Sequence, residues 1–244
     1  MNGYQLQLLK SYEQRNKVIE NHIREIARDR NELQILEAGC GQRWIIDLKG
    51  VSYRLTGLDI DTAALEIRRE KFRDLDEIIE GDLRNVDLGE RKFDVIYNAY
   101  VLEHVDGAKD VLNNFLRWLK PGGIVVLYIP DPASVKGFVT KFTPTWFHVM
   151  YYRYFLGSKT AGLPGHMPYP TYFDSIVSRR GIHEFCAANQ LSVIAEYGDG
   201  LTTHGTGLRR LFLKLLVKGI AALSLGSLSS RHVDLLFVIR RSTA

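Results

Sequence analysis

A run of residues spaced for small-molecule recognition begins at "LEAGCGQRW", positions 36–44. Gly39 and Gly41 can form a tight turn whose backbone amides face a ligand, with the acid Glu37 just before it and the cation Arg43 just after. Asp59 follows Gly39 by twenty residues, the interval at which an acid accepts hydrogen bonds from ribose hydroxyls. Asp82 and Asn98 also fall where short apolar runs end, in "EIIEGD" and "KFDVIYNA". In an open parallel sheet, ligands bind beyond the carboxyl ends of the strands. Glu37, Gly39, Gly41, Asp59, Asp82 and Asn98 are therefore expected to converge on one crevice.

A dinucleotide fits that crevice poorly. The third glycine of GxGxxG would stand at position 44, where helix and strand must approach closely, and Trp44 occupies it. Glu37 would face a pyrophosphate that prefers amides and positive charge. S-adenosyl-L-methionine (SAM) fits better, because it carries no phosphate. Its ammonium can meet an acid and its carboxylate the turn amides, with Arg43 expected beside that carboxylate.

The elements that must position these residues alternate. Residues 4–29 have apolar residues near helical spacing and read as an amphipathic leading helix. Strands are expected at "LQILEA", "YRLTGLDI", "EIIEGD", "KFDVIYNA" and "GIVVLYIP", with helices at 62–73, capped by Asp61 or Thr62, and at "AKDVLNNFLRWLK". Only "WIIDLK" is available as a helix between the first two strands. A helix at 178–190 and strands at "LSVIAEY" and "VDLLFVIRR" close the chain. All-apolar strand centres imply an α/β fold, a doubly wound, mostly parallel seven-stranded sheet covered by helices on both faces.

At this point the chain resembles the class I SAM-dependent methyltransferases. "ILEAGCGQR" is similar to their first motif, "LTGLDID" to the acid after the second strand, and "IEGDLRNV" to the adenine-side motif. "FDVIYNAYVLEHV" and "LKPGGIVVLYIP" resemble the fourth- and fifth-strand signatures. The resemblance spans roughly residues 33–131 and implies a Rossmann-like single domain over 1–244. It also implies that Asp82 and the Leu83 amide read the adenine edge, that Asp59, next to Ile60, binds the ribose, and that Asn98 sits under the methionyl arm.

Methyl transfer to oxygen needs a base. "VLEHV" and "IPDP" offer Glu103, His104 and Asp131. Some antibiotic-sugar methyltransferases resemble this arrangement, which makes His104 a candidate base and Asp131 its partner. In members that methylate carbon or nitrogen, the same motif is largely structural, and Glu103 is expected to cap or orient the following loop.

Two insertions interrupt the alternation. Residues 132–173 hold 11 of the 26 aromatics, four cations and no acid, which suits a helical lid over an acceptor. Trp146, His148, Tyr152, Arg153, His166 and Tyr169 are its candidate acceptor contacts. Its aromatics would equally suit sugar faces, single-stranded bases, a membrane interface or a small core of their own. Residues 200–231 form a basic insertion before the last strand, and 207–225 wind into an amphipathic helix fit for anionic lipid, for the lid or for a second subunit.

Net charge of +4 is too weak to argue for nucleic acid, and no RNA module is visible. Cys40 and Cys186 form no metal or disulfide motif, no metal site is expected, and the start lacks the marks of a signal peptide. The expected location is cytoplasmic, with membrane association and a homodimer left open. The reaction expected is O-methylation of a sugar, glycan or lipid-linked small molecule. The alternatives are C- or N-methylation of a quinone-like molecule, RNA methylation, or SAM binding without chemistry.

Overall fold

The strands form where continuous apolar runs can be buried on both faces of one sheet. The computed structural model describes residues 6–41, 43–154, 157–163, 169–172, 174–200 and 207–243. Its strands are β1 (Gln7–Leu9), β2 (Leu33–Ala38), β3 (Tyr53–Asp59), β4 (Glu77–Glu80), β5 (Phe93–Ala99), β6 (Leu119–Pro130), β7 (Leu191–Gly200) and β8 (His232–Arg241). They make one sheet in the order β1-β7-β8-β6-β5-β2-β3-β4, and β8 runs antiparallel to both its neighbours. The α/β class and the mostly parallel sheet agree with expectation, while the strand count is eight among the described residues, not seven.

Alternation along each strand sends successive side chains to opposite faces. Leu36, Ile96, Val125, Leu127 and Phe237 pack with Phe115, Trp118 and Ile182 on one side. Ile35, Val95, Val126 and Val238 pack with Ile19 and Ile23 on the other. The covering helices are α1 (Tyr12–Ala27), α2 (Thr62–Ile67), α3 (Ala108–Trp118) and α6 (Arg179–Ala188); α4 (Val135–Phe142), α5 (Thr145–Tyr154) and α7 (Gly207–Leu223) lie in the two insertions. Side-chain oxygens start several of them. Ser11 accepts from the Gln14 amide, Asp61 from Ala64, Ser134 from Gly137 and Ser178 from Gly181.

Four departures from expectation have local causes. The leading helix starts only at Tyr12, because residues 7–9 pair with Tyr197–Asp199 and cover the edge of β7. "WIIDLK" forms no helix; Ile46 and Leu48 are buried from an irregular crossover. The helix after Asp61 continues as a π-helical turn, Arg68–Phe72, which ends at Arg73 in the left-handed region. The helix expected over "AKDVLNNFLRWLK" ends at Trp118, and Lys120, Pro121 and Gly122 lie within the long β6, which begins directly after α3.

Candidate active site

The registers bring the carboxyl ends of the central strands level, with Ala38 opposite Leu58 and Asn98 opposite Leu127. The turn after β2 leaves the sheet there, with the Gly39 and Cys40 amides both donating to the Leu58 carbonyl. Gly39 has φ +73, and a Cβ on it would stand 2.2 Å from Val101 Cγ2. Asp59 ties the turn to the start of α2: one carboxylate oxygen accepts from the Gly41 amide at 2.8 Å and the other from Asp61 at 2.9 Å. Each oxygen keeps a further lone-pair direction for a ligand hydroxyl.

Glu37 is placed differently from the sequence expectation. Its carboxylate forms a buried ion pair with Arg68 at 2.7 Å, and Arg68 also donates to the Cys40 carbonyl and to Asp74. Burial drives the Glu37 carboxyl upward and Arg68 opposes that drive. The acid that a ligand ammonium was expected to meet is thus already balanced from within the protein. Arg68 has no sequence signal of its own: it is one of several arginines on that helix.

A crevice of about 160 Å³ opens beside the turn, lined by Gly39, Asp59, Ile60, Asp82, Leu83 and His104 among others. Ile60 presents 66% of its surface, an apolar wall available to a flat ring. Asp82 is held by Arg84, whose Nε reaches both carboxylate oxygens at 3.0 Å. This pairing holds the Asp82 carboxyl below the usual carboxylate range. Arg84 also lines the crevice and was not anticipated; its only sequence signal is its place two residues after Asp82. Arg43 is exposed after the turn and does not line the crevice.

Asn98 is fully buried at the end of β5 and donates to the Ala38 carbonyl at 2.8 Å. Its Oδ1 has no partner among the described residues. The chain then passes Tyr100, at φ +57, into a 3₁₀ turn over Leu102–His104. His104 Nδ1 lies 2.7 Å from the Pro170 carbonyl, and the Tyr172 amide donates to the Glu103 carbonyl at 2.7 Å. Tyr169 packs edge-on against His104 and reaches Asp61 at 3.4 Å. The end of the first insertion is therefore held against the segment after β5, and Tyr172 lines the crevice. Glu103 is buried, its Oε2 has no partner among the described residues, and burial pushes its carboxyl up to about 8.

Asp131 is not the partner of His104. It pairs with His232 Nε2 at 2.7 Å, across the β6–β8 junction, and accepts from the Ala133 amide. The reversed β8 brings His232 to that position, a long-range pairing that local sequence cannot show. Next to it, Asp234 meets the Tyr100 hydroxyl at 2.9 Å, and Asp199 meets Tyr128 and Arg15.

Other lid residues divide. The His148 ring is engaged locally with Thr143, and Arg153 donates to the Ala161 carbonyl at 2.9 Å. Both are thus engaged within the first insertion. Tyr152 is half-buried, and Trp146 is 66% exposed and packs edge-on against Phe147. His166 lies outside the described residues.

A family described as "Methyltransferase domain" matches residues 36–127. A "Probable S-adenosylmethionine-dependent methyltransferase" of Mycolicibacterium smegmatis is 34% identical over 98 residues, which cover 40% of this chain and 38% of that protein. A demethylmenaquinone methyltransferase of Staphylococcus epidermidis is 31% identical over 48% of this chain and 50% of its own length. The chain thus spans half or less of these curated relatives. A solved SAM-dependent methyltransferase from Methanosarcina mazei shares the fold, with a TM-score of 0.58 at 14% identity over 97% of this chain and 100% of that one.

Fold and motif order define a Rossmann-like α/β protein with a cofactor crevice at its strand ends. Through residues 36–127, the chain matches the methyltransferase-domain family and is similar to SAM-dependent methyltransferases. The residues present fit that cofactor. Asn98 Oδ1 is a buried acceptor awaiting a donor, Asp59 has lone pairs for ribose hydroxyls, and the site of a Cβ on Gly41 meets only open space.

Proposed function

We propose that this protein transfers a methyl group from SAM to an oxygen of a sugar, glycan or lipid-linked small molecule, with His104 as the base. When bound, SAM supplies an electrophilic methyl group, and the chain's own residues orient the partners and remove a proton. Asp59 would take the ribose hydroxyls, with Asp82 and the Leu83 amide on the adenine edge. Asn98 Oδ1 would lie beneath the methionyl arm.

The observation that carries the reading is the His104–Pro170 contact. A carbonyl only accepts, so Nδ1 bears the proton and Nε2 keeps a lone pair. Burial holds the His104 pKa below the ordinary histidine value, which leaves that lone pair available at neutral pH. A base must be unprotonated, so kcat/KM should fall on the acid side with a midpoint below about 6.5.

A second reading, methylation of a carbon on a lipophilic quinone-like molecule, is favoured by the likeness to a demethylmenaquinone methyltransferase. The test is methyl transfer from labelled SAM to sugars and glycolipids in parallel with quinols, using wild type and His104→Ala. For the oxygen reading, His104→Ala should lose about 10²–10⁴-fold in kcat while binding S-adenosylhomocysteine unchanged. Undiminished turnover in that variant, or turnover of quinols alone, would overturn it.

A further inference from the structure

Helices on a protein surface normally turn their apolar side inward. α7 does not follow this rule. Val217 and Ile220 are half-buried, yet Leu211, Leu215, Leu216 and Leu223 are 53%, 59%, 48% and 85% exposed. Leu225, just beyond the helix, is 94% exposed. Lys214 and Lys218, both exposed, lie one turn apart beside Leu211 and Leu215. α4 packs against α7 and adds Phe142 at 68% exposure. Single exposed leucines need no explanation, but a row of them on one helix marks an interaction surface.

Charge selects the occupant. Residues 200–233 carry five cations and no acid, and residues 132–173 carry four cations and no acid. A second copy joined about a two-fold axis would set Lys214 and Lys218 against the same patch of its twin, with no acid in either segment to balance them. Anionic headgroups supply that missing charge, and the acyl boundary accepts leucine side chains. Among the described residues no helix is long and apolar enough to cross a membrane, so the helix would lie in the interface plane.

We propose that the leucine-and-lysine face of α7, with the adjoining end of α4, docks this protein on an anionic lipid bilayer. The proposal is independent of the acceptor assigned above.

The test is co-sedimentation of the full chain with vesicles of phosphatidylcholine, with and without about a third phosphatidylglycerol. Binding is expected on the anionic vesicles, falling severalfold on neutral ones and at high salt. Leu215→Glu/Leu216→Glu should reduce it about tenfold or more, with S-adenosylhomocysteine affinity unchanged as the folding control. Lys214→Ser/Lys218→Ser removes only exposed charge and should weaken binding to anionic vesicles alone. Absence of binding by wild type would overturn the proposal. So would binding that survives the glutamates, or a concentration-dependent dimer that the glutamates dissociate in a chain that ignores vesicles.

Discussion

Arg68 Nη2 stands 2.7 Å from Glu37 Oε2, and the two side chains form an ion pair almost sealed from solvent beneath the glycine turn. The same guanidinium holds the Cys40 carbonyl, so the path of the turn and the charge of Glu37 are managed by one residue. Removing one partner of a buried pair strands the other. Arg68→Met should cost about 3–5 kcal/mol in urea unfolding, and Glu37→Gln in the same chain should restore part of it. Independent, additive losses would show that the pair is not coupled.

Arg84 already holds the carboxylate that the proposed adenine contact needs, that of Asp82. Both Asp82 oxygens are engaged by its fork, and the crevice is smaller than the roughly 300–1,000 Å³ usual for ligand sites. Arg84 must therefore move for an adenine edge to reach that carboxylate. Calorimetry should find S-adenosylhomocysteine bound severalfold more tightly by Arg84→Ala and severalfold more weakly by Asp82→Ala. Weaker binding by Arg84→Ala would make the arginine a ligand contact instead.

Glu103 should impose a pH dependence on stability. Its folded carboxyl is pushed up to about 8, whereas an unfolded glutamate titrates near about 4.3. Between those values the native state holds a proton that the unfolded chain has released. The contribution of Glu103 is then complete at low pH and is lost as pH rises through the window, by at most about 1.4 kcal/mol per unit. Glu103→Gln is neutral throughout, so its stability relative to wild type should grow from about pH 5 to about pH 8. A constant difference would mean that Glu103 titrates normally.

Gly39 and Val101 test the packing of the turn on the segment after β5. Gly39→Ala adds a Cβ at φ +73 and drives it to 2.2 Å from Val101 Cγ2. A loss of about 2–3 kcal/mol is expected. Val101→Ala should return the part due to the collision but not the part due to the backbone. Thermal unfolding of the two single variants and the double variant separates them.

Much of this site was legible because it lies at the ends of apolar runs. The runs ending at Ala38, Asp59, Glu80 and Ala99 became β2 to β5, and Gly39, Asp59 and Asp82 line the crevice at their ends, whereas Glu37, Gly41 and Asn98 are not among its lining residues. His104 was also legible, as a polar residue in the fourth-strand motif. Less visible were side chains whose partners are remote. Asp131 was matched to His104, yet His232, 101 residues away, holds it. Glu37 had the residue type for an ammonium, but Arg68 had already taken its charge. His148 and Arg153 had types suited to a ligand and bond within their own insertion.

What the sequence by itself determined is the set of short-range facts: where apolar runs stop, where glycine permits a positive φ, and which residues lack acids around them. These follow from backbone sterics and from burial, which act over a few residues. Tertiary structure alone decided that residues 7–9 would cover β7, that Pro170 would hold the His104 tautomer, and that Leu211, Leu215, Leu216 and Leu223 of α7 would face outward. Each of these depends on segments far apart in the chain meeting or failing to meet, and no local spacing encodes them.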